Sequence, residues 1–221
     1  MSNLSDFIGG GGGLILRRQL FTASGTWTKS VDLVGDQVFI TAIGGGGSGN
    51  SATSELGGCS GAYIIRLPVN VSDTSSETIT IGVGGNSVGG EGSNTGGEPG
   101  GASSFGSLVS VVGAVGSGSS VARYLTRLTG QNPGCSSSNF LACIPGIFGA
   151  AIAESVGESI SLGLGGSGLL LDTSGTRGGA VAYDSAPGGN GYGAGGAAGT
   201  NTFASGAGAD GAVLVEWLEK V

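Results

Sequence analysis

Very few residues of this chain have the types and spacing that catalytic chemistry requires. Histidine is absent, so neither imidazole acid–base catalysis nor a Ser-His-Asp triad is available. The carboxylates are scattered, and no pair has the fixed separation with which glycosidases assign two roles. Neither a GxxxxGK(S/T) phosphate loop nor a calcium-loop spacing occurs. The sequence therefore predicts a protein that is not an enzyme and that binds no cofactor.

Three cysteines, Cys59, Cys135 and Cys143, are the remaining reactive side chains. No CxxC pair is present, and without histidine a metal site is not expected. Cys135 and Cys143 are close enough along the chain for a disulfide to close the loop between them. The alternative is that the thiols stay reduced and buried, as in a protein folded in a reducing cytosol. The sequence leaves both interpretations open.

Glycine dominates the composition, with 51 of 221 residues, and it clusters in runs such as Gly9–Gly13 and Gly44–Gly47. Each glycine in a regular element costs about 0.5–1 kcal/mol relative to alanine, because the unfolded glycine backbone is unusually free. Disorder of the whole chain is not expected, since 38% of the residues are hydrophobic and 10% are charged. The glycine segments are therefore predicted to be ordered, with polyproline II runs whose N–H and C=O groups pair with neighbouring segments.

The net charge argues against binding to nucleic acid, and the hydropathy argues against insertion into a membrane. The net charge is −7, and no basic patch is present that could release counterions from phosphates, so nucleic acid binding is not expected. No apolar run reaches the length of a membrane-spanning helix, so membrane insertion is not expected either. The first 20 residues also lack the pattern of a signal peptide.

Between the glycine runs, short apolar segments alternate with the period of two that is typical of strands. The predicted strands are Leu14–Phe21, Gln37–Ile43, Ala62–Val71, Glu77–Val83, Ser104–Val112 and Ala212–Leu218, with a turn entering another strand at Gly25–Thr28. The predicted buried faces are Tyr63, Ile65, Leu67, Val69 and Val71; Ile79, Ile81 and Val83; and Val213, Val215 and Trp217. Pro68 indicates a strand edge or a bulge. The predicted fold is all-β, a compact β-sandwich-like body with glycine-rich loops and polyproline II segments.

The chain is predicted to have two parts. Residues 1–13 form a short N-terminal attachment arm, with Leu4, Phe7 and Ile8 as its apolar anchors, and residues 14–221 form one glycine-rich β domain.

One stretch of the domain differs from the rest. Residues 119–157 contain less glycine than the rest of the second half and are interpreted as a small helical insertion. The expected helices are Val121–Leu128 and Ile147–Val156, joined by a loop.

An ordered series of motifs resembles the glycine-rich domain of bacteriophage tail fibre and receptor-binding proteins. In that family a GTWT strand opens the domain, short strands alternate with glycine runs, and a VxVEW-like strand closes it. The matching segments are Phe21–Thr28, Val38–Gly47, Gly57–Tyr63, Ile79–Gly85, Gly100–Gly106 and Gly211–Trp217. The resemblance covers residues 20–118 and 158–218, and the insertion departs from it.

The resemblance implies a non-enzymatic virion protein in the phage tail, made in the host cytoplasm. As a tail fibre or spike component it would attach to the host cell surface, where its receptor would be a glycan or an outer-membrane protein. The arm would dock to other tail proteins, and a homo-oligomer is expected, usually a trimer. The alternative is a structural decoration, collar or baseplate protein that binds no receptor.

The candidate receptor-binding residues lie in the insertion and in or beside the glycine-rich loops. An aromatic ring held on a rigid backbone loses little side-chain entropy on binding, which suits contact with a sugar or a protein. The candidates are Tyr124, Arg127, Tyr183, Tyr192 and Asn94. The alternative is that the aromatic rings fill gaps between thin glycine layers and contact no receptor.

Overall fold

The computed structural model describes residues 13–51, 57–90, 95–117, 186, 188–199 and 203–221, together with the backbone of four further strands. The strands, in chain order, are β1 Leu14–Phe21, β2 Gly25–Thr28, β3 Leu33–Ile43, β4 Tyr63–Asn70, β5 Ser76–Thr80, β6 Ser103–Phe105, β7 Val109–Val111, β8 Cys135–Ser136, β9 Cys143–Ile144, β10 Ala150–Glu154, β11 Ile160–Leu164 and β12 Ala212–Lys220.

Two antiparallel sheets form a sandwich. The first sheet has the order β1-β12-β3-β4-β9, and the second has the order β2-β5-β6-β7-β8. Strands β10 and β11 form a separate two-stranded sheet. The all-β, sandwich-like fold predicted from the sequence is confirmed.

The hydrophobic core fills the space between the two sheets. The second sheet contributes Trp27, Ile79, Phe105, Val109 and Val111, and the first contributes Val38, Ile40, Ala42, Ile64, Leu67, Val69, Val213, Val215 and Trp217. Trp27 links the layers, because its ring lies 5.4 Å from that of Phe105 and 6.0 Å from that of Trp217, centroid to centroid. Val213, Val215 and Trp217 share the buried face of β12, as their alternation predicts.

The predicted strand over Ser104–Val112 is wrong as a single element. Its residues form a hairpin instead, in which β6 and β7 pair antiparallel. The turn between them is closed by the N–H of Leu108, which donates to the carbonyl of Phe105 at 3.1 Å. Gly106 makes this turn possible, because its φ of +51° lies in the region that side-chain-bearing residues rarely adopt.

A bulge in β4 breaks the predicted alternation of that strand. The register with β3 shifts between Ile40 and Ala42, so two residues of β4, Ile65 and Arg66, lie opposite one residue of β3. Arg66 has a φ of +49°, and Ile65 is 42% exposed instead of buried. Pro68 follows this bulge, as expected, at a point where β9 no longer pairs with β4.

Val83 also departs from its predicted buried position and is 67% exposed. Strand β5 ends at Thr80, and the chain then leaves the sheet. The alternation of strand residues therefore stops before Val83.

The second predicted helix of the insertion is wrong. Residues Ala150–Glu154 form β10, which pairs antiparallel with β11 from Ala150 opposite Leu164 to Glu154 opposite Ile160. Alanine has the highest helix propensity, but propensity is a weak determinant that pairing with a neighbouring strand can override. The first predicted helix, Val121–Leu128, lies outside the described residues, as do most of the insertion and the residues of the arm before Gly13.

Beyond the sheets, glycine-rich segments pack side by side in a unit that we term the glycine bundle. It comprises residues 44–51, 57–62, 82–90, 95–101, 112–117, 193–199 and 203–211. Segment 44–51 lies at the centre, and the other segments surround it. Its N–H groups donate to three neighbouring segments in turn. The first neighbour accepts at Ala62 from Gly44 and at Cys59 from Gly47. The second accepts at Gly101 from Gly45 and at Glu98 from Ser48, and the third accepts at Ala209 from Gly46 and at Gly206 from Gly49.

The carbonyl groups of the central segment follow the same rotation. They accept hydrogen bonds from Ala114 and Ser117, from Gly85, and from Gly196 and Gly199. A return to the same neighbour after three residues is the pattern that a polyproline II helix produces, because it has three residues per turn and no internal hydrogen bonds. The predicted ordered packing is therefore confirmed for the glycine segments that the structure describes.

Only glycine fits at most central positions of the bundle. A Cβ on Gly47 would lie 2.6 Å from the carbonyl oxygen of Val115. A Cβ on Gly46 would lie still closer to the carbonyl oxygen of Ala194, and a Cβ on Gly49 would lie still closer to that of Ala197. Because these neighbours are backbone atoms, no side-chain rotation can relieve the overlap.

Glu219, near the end of β12, provides a test of stability against pH. Hydrogen bonds from Ser30, then from Trp217 and Arg17, lower the pKa of its carboxyl from 4.5 to about 2. Because this pKa is lower in the folded than in the unfolded state, the ionised Glu219 carboxylate stabilises the fold above about pH 4.5, and this stability is lost as the pH falls towards 2. We therefore expect Glu219→Gln to lose less stability than the wild type between pH 5 and pH 2, as measured by urea unfolding. Equal losses in the two proteins would contradict the assignment.

Candidate functional site

The segments of the glycine bundle leave the sheets and return to them. Segment 44–51 continues from the end of β3, and segment 57–62 returns to the start of β4. Segment 82–90 follows β5, and segment 95–101 returns to β6. Segment 203–211 likewise leads back to β12. The described residues that flank the connections between outgoing and returning segments therefore lie at the end of the bundle that is remote from the sandwich.

Four described residues mark this end, which we term the loop end. Ser51 forms isolated bridges with Thr95 and with Gly199. Its hydroxyl donates to the carbonyl of Phe203 at 3.3 Å. Loops from three separate parts of the sequence thus start from one small area. A polyproline II rise of about 3.1 Å per residue places the loop end roughly 20 Å from Gly44, where the bundle joins the sheet.

The insertion starts near the same end. Ser117 accepts a hydrogen bond from the N–H of Gly97 at 2.7 Å, and its own N–H donates to the carbonyl of Ser48 at 3.3 Å. Ser117 therefore lies beside Ser48 and Gly97, which are close to the loop end. The described part of the loop end offers backbone groups, hydroxyls and the ring of Phe203. In the described residues no group of three or more acidic, cysteine or histidine side chains could hold a metal ion.

Of the predicted receptor-binding residues, the structure describes Tyr192 and the neighbour of Asn94. Thr95 lies at the loop end and directly follows Asn94, which is itself outside the described residues. Tyr192 lies at the opposite end of the bundle, partly buried against Ile43, Tyr63 and Ala212. The other candidates, Tyr124, Arg127 and Tyr183, and the predicted anchors Leu4, Phe7 and Ile8 lie outside the described residues.

Tyr192 borders a groove of about 270 Å³ on the outer face of the first sheet. Much of the groove wall is apolar and comes from Leu20, Ile43, Ile65, Ala212 and Leu214. Sequence reasoning missed this groove, because the bulge that turns Ile65 outward leaves no periodic signal.

Glu216 forms the polar part of the groove. It is 3% exposed and accepts a hydrogen bond from Arg18 Nε at 2.9 Å, while Arg66 Nη1 lies 3.5 Å from its second oxygen. The Arg66 guanidinium also lies 5.2 Å from the centroid of the Phe39 ring. Alternation along β12 could have placed Glu216 on the outer face, but its burial depends on arginines from two other strands.

A family model described as a glycine-rich domain matches residues 21–218. The chain belongs to this glycine-rich domain family. The match begins with the last residue of β1 and ends within β12, so it includes the sandwich and the glycine bundle. No curated protein matches the sequence. In the part of this glycine-rich domain that the structure describes, no helix is long and apolar enough to cross a membrane.

Proposed function

We propose that this glycine-rich domain is a non-enzymatic phage virion protein, a component of the tail fibre or spike that attaches the particle to the host cell surface. It is made in the host cytoplasm and acts in the tail as a homo-oligomer, with a trimer as the expected state. Its receptor is a bacterial surface glycan or outer-membrane protein.

The observation that carries this proposal is that Gly13, where the arm joins β1, and the loop end lie on opposite sides of the junction between the sheet and the bundle. Gly13 lies beside the end of β12, because its carbonyl accepts a hydrogen bond from the N–H of Val221 at 2.8 Å. Strand β12 starts at Ala212, next to the bundle, so Gly13 is at the far end of the sheet. A strand of 9 residues spans about 30 Å. Added to the length of the bundle, this separates Gly13, where the arm joins β1, from the loop end by up to roughly 50 Å.

Such a polarity suits an attachment protein, which must hold the particle at one end and reach a receptor with the other. The glycine bundle supplies rigid support for loops, and binding by a rigid support loses less conformational entropy. We therefore expect that docking to the tail and binding to the receptor can be separated by mutation.

The receptor-binding role is tested by competition for adsorption. We expect the purified protein to bind susceptible bacteria and to block adsorption of the phage. A loop-end variant with Glu91, Ser93 and Asn94 changed to glycine is expected to bind at least about tenfold more weakly, because it keeps the loop length but loses side chains that would meet the receptor. Val31→Ser is the control, since Val31 is 98% exposed and lies in the turn before β3.

Two results would contradict this assignment. Failure of the wild-type protein to bind cells would favour the decoration, collar or baseplate alternative. Equal binding by the loop-end variant and the control would remove the loop of residues 91–94 from the receptor site. Tyr192→Ala in the same assay tests whether that ring contacts the receptor, and unchanged binding by a folded variant would exclude it.

The arm has its own test. We expect deletion of residues 1–8 to remove the protein from virions while leaving its binding to cells intact, because Gly13, where the arm joins β1, is far from the loop end. The measurement is quantitative mass spectrometry of purified particles. Normal incorporation of the shortened protein would show that the arm does not dock it to the tail.

A further inference from the structure

Strand β1 is an open edge of the first sheet. It pairs with β12 on one side, and no described strand pairs with its other side. The side chains of Leu14–Leu20 are all exposed, including Leu14 at 60%, Leu16 at 41% and Leu20 at 44%. An apolar edge of this length readily accepts another strand, and natural proteins usually cover or interrupt such edges.

A second copy of the same strand is a poor partner. Arg17 and Arg18 occupy the middle of β1. Two copies paired antiparallel about this centre would bring arginines of the two chains opposite or next to each other. Like charges directly opposite across two strands are destabilising. The edge therefore favours a segment of different sequence.

The outer face of β1 defines the sequence that would fit. Leu16, Arg18 and Leu20 lie on this face, opposite Leu218, Glu216 and Leu214 of β12. Arg18 uses its Nε to bind Glu216, and 62% of its side chain stays exposed. A complementary strand would carry an acidic residue flanked, two positions away on each side, by apolar residues.

The arm has this pattern at Leu4, Asp6 and Ile8. In an antiparallel register with Asp6 opposite Arg18, Ile8 lies opposite Leu16 and Leu4 lies opposite Leu20. Gly10 then pairs with Leu14, which leaves residues 11–13 as a glycine turn. Three-residue turns containing glycine are common in hairpins.

We propose that residues 4–8 form an additional edge strand on β1 of the same chain, joined to it by a glycine hairpin. The pairing covers the open edge and gives Arg18 a second acidic partner. Docking of the arm to a tail protein then requires release of this strand. The inference goes beyond the proposed function, since it concerns the isolated protein and does not depend on a receptor or a tail.

Disulfide trapping tests the register. In a full-length background with Cys59, Cys135 and Cys143 changed to serine, Ile8→Cys is combined with Leu16→Cys. Directly opposite strand residues have Cα atoms about 4.5–5.5 Å apart, within the range of a disulfide. We expect an intramolecular bond in monomeric protein under mild oxidation. Ile8→Cys with Ile15→Cys is the control, because Ile15 faces the other side of the sheet and should trap poorly.

A second variant tests the proposed pairing of Asp6 with Arg18. Asp6→Lys places a like charge opposite Arg18 and is expected to slow trapping roughly two- to fivefold. Trapping that is equally fast in the control pair, or absent from both pairs, would overturn the proposal. Disulfide-linked dimers in place of monomers would overturn the pairing within one chain and show exchange of the arm between copies.

Hydrogen exchange provides a measurement that needs no cysteine. In an antiparallel edge strand, every second amide points away from its partner. We expect about half of the amides in Leu14–Phe21 to exchange faster in the native sequence lacking residues 1–8 than in the full chain. Identical exchange in the two proteins would overturn the proposal, whatever the outcome of the adsorption and incorporation assays.

Discussion

Gly46→Ala and Gly49→Ala are each expected to destabilise the domain by more than about 4 kcal/mol, which is at the extreme of single substitutions. Overpacking in an ordinary core typically costs about 1–3 kcal/mol, because side chains can change rotamer. In the glycine bundle the new methyl groups would meet the carbonyls of Ala194 and Ala197, which accept hydrogen bonds from the N–H groups of Ala209 and Gly206. The segments would have to separate, and that would break these bonds.

Gly188→Ala is the matched control. A Cβ there would lie 3.4 Å from the carbonyl oxygen of Ala207, at the edge of ordinary contact, and Gly188 is exposed. We expect this variant to differ from the wild type by less than about 1 kcal/mol. Urea unfolding followed by circular dichroism measures both effects. Near-wild-type stability of Gly46→Ala would contradict the close packing described for the bundle.

The second large effect is expected at Trp27, which is completely buried between the two sheets. Trp27→Ala should cost about 3–5 kcal/mol, because it removes a large buried side chain and leaves a cavity between Phe105 and Trp217. The loss should be visible as a lower midpoint of urea unfolding and as a lower melting temperature.

Trp27→Phe separates ring packing from hydrogen bonding. In the described part of the chain, the Trp27 Nε1 is buried and has no hydrogen-bond partner. Its removal relieves a desolvation penalty of about 1–3 kcal/mol, which partly offsets the lost ring volume. Trp217→Phe should cost more, because the Trp217 Nε1 donates to Glu219 Oε1 at 2.8 Å. The reverse order of stability would contradict this explanation.

Several elements could be predicted from the sequence because they follow a simple period. The bounds of β1 agree with the prediction, and the inward faces of Val213, Val215 and Trp217 follow from alternation alone. The predictions failed where a local backbone change interrupts the period, at the Ile65–Arg66 bulge and at the Gly106 turn. Neither the bulge nor the turn can be recognised from the alternation of apolar and polar residues.

The loop end and the groove could not be predicted for a different reason. The bridges of Ser51 with Thr95 and Gly199 join residues far apart in the sequence, and most of these contacts use backbone groups that every residue has. The burial of Glu216 likewise depends on Arg18 and Arg66 from remote strands. The sequence indicated that the glycines would be ordered, but it contained no information on which segments would be neighbours.

The threefold rotation of hydrogen bonds in the glycine bundle has a consequence for folding specificity. If one segment slid along its neighbours by three residues, most of its N–H and C=O groups would find equivalent partners, so the backbone alone makes such alignments nearly degenerate. Side-chain bonds can break this degeneracy, as when Ser48 Oγ accepts from the N–H of Glu98 at 2.8 Å and Asp210 Oδ1 accepts from that of Gly84 at 2.8 Å. The strands that enter and leave the bundle set the alignment as well, so the sandwich acts as the template on which the glycine segments find their correct offsets.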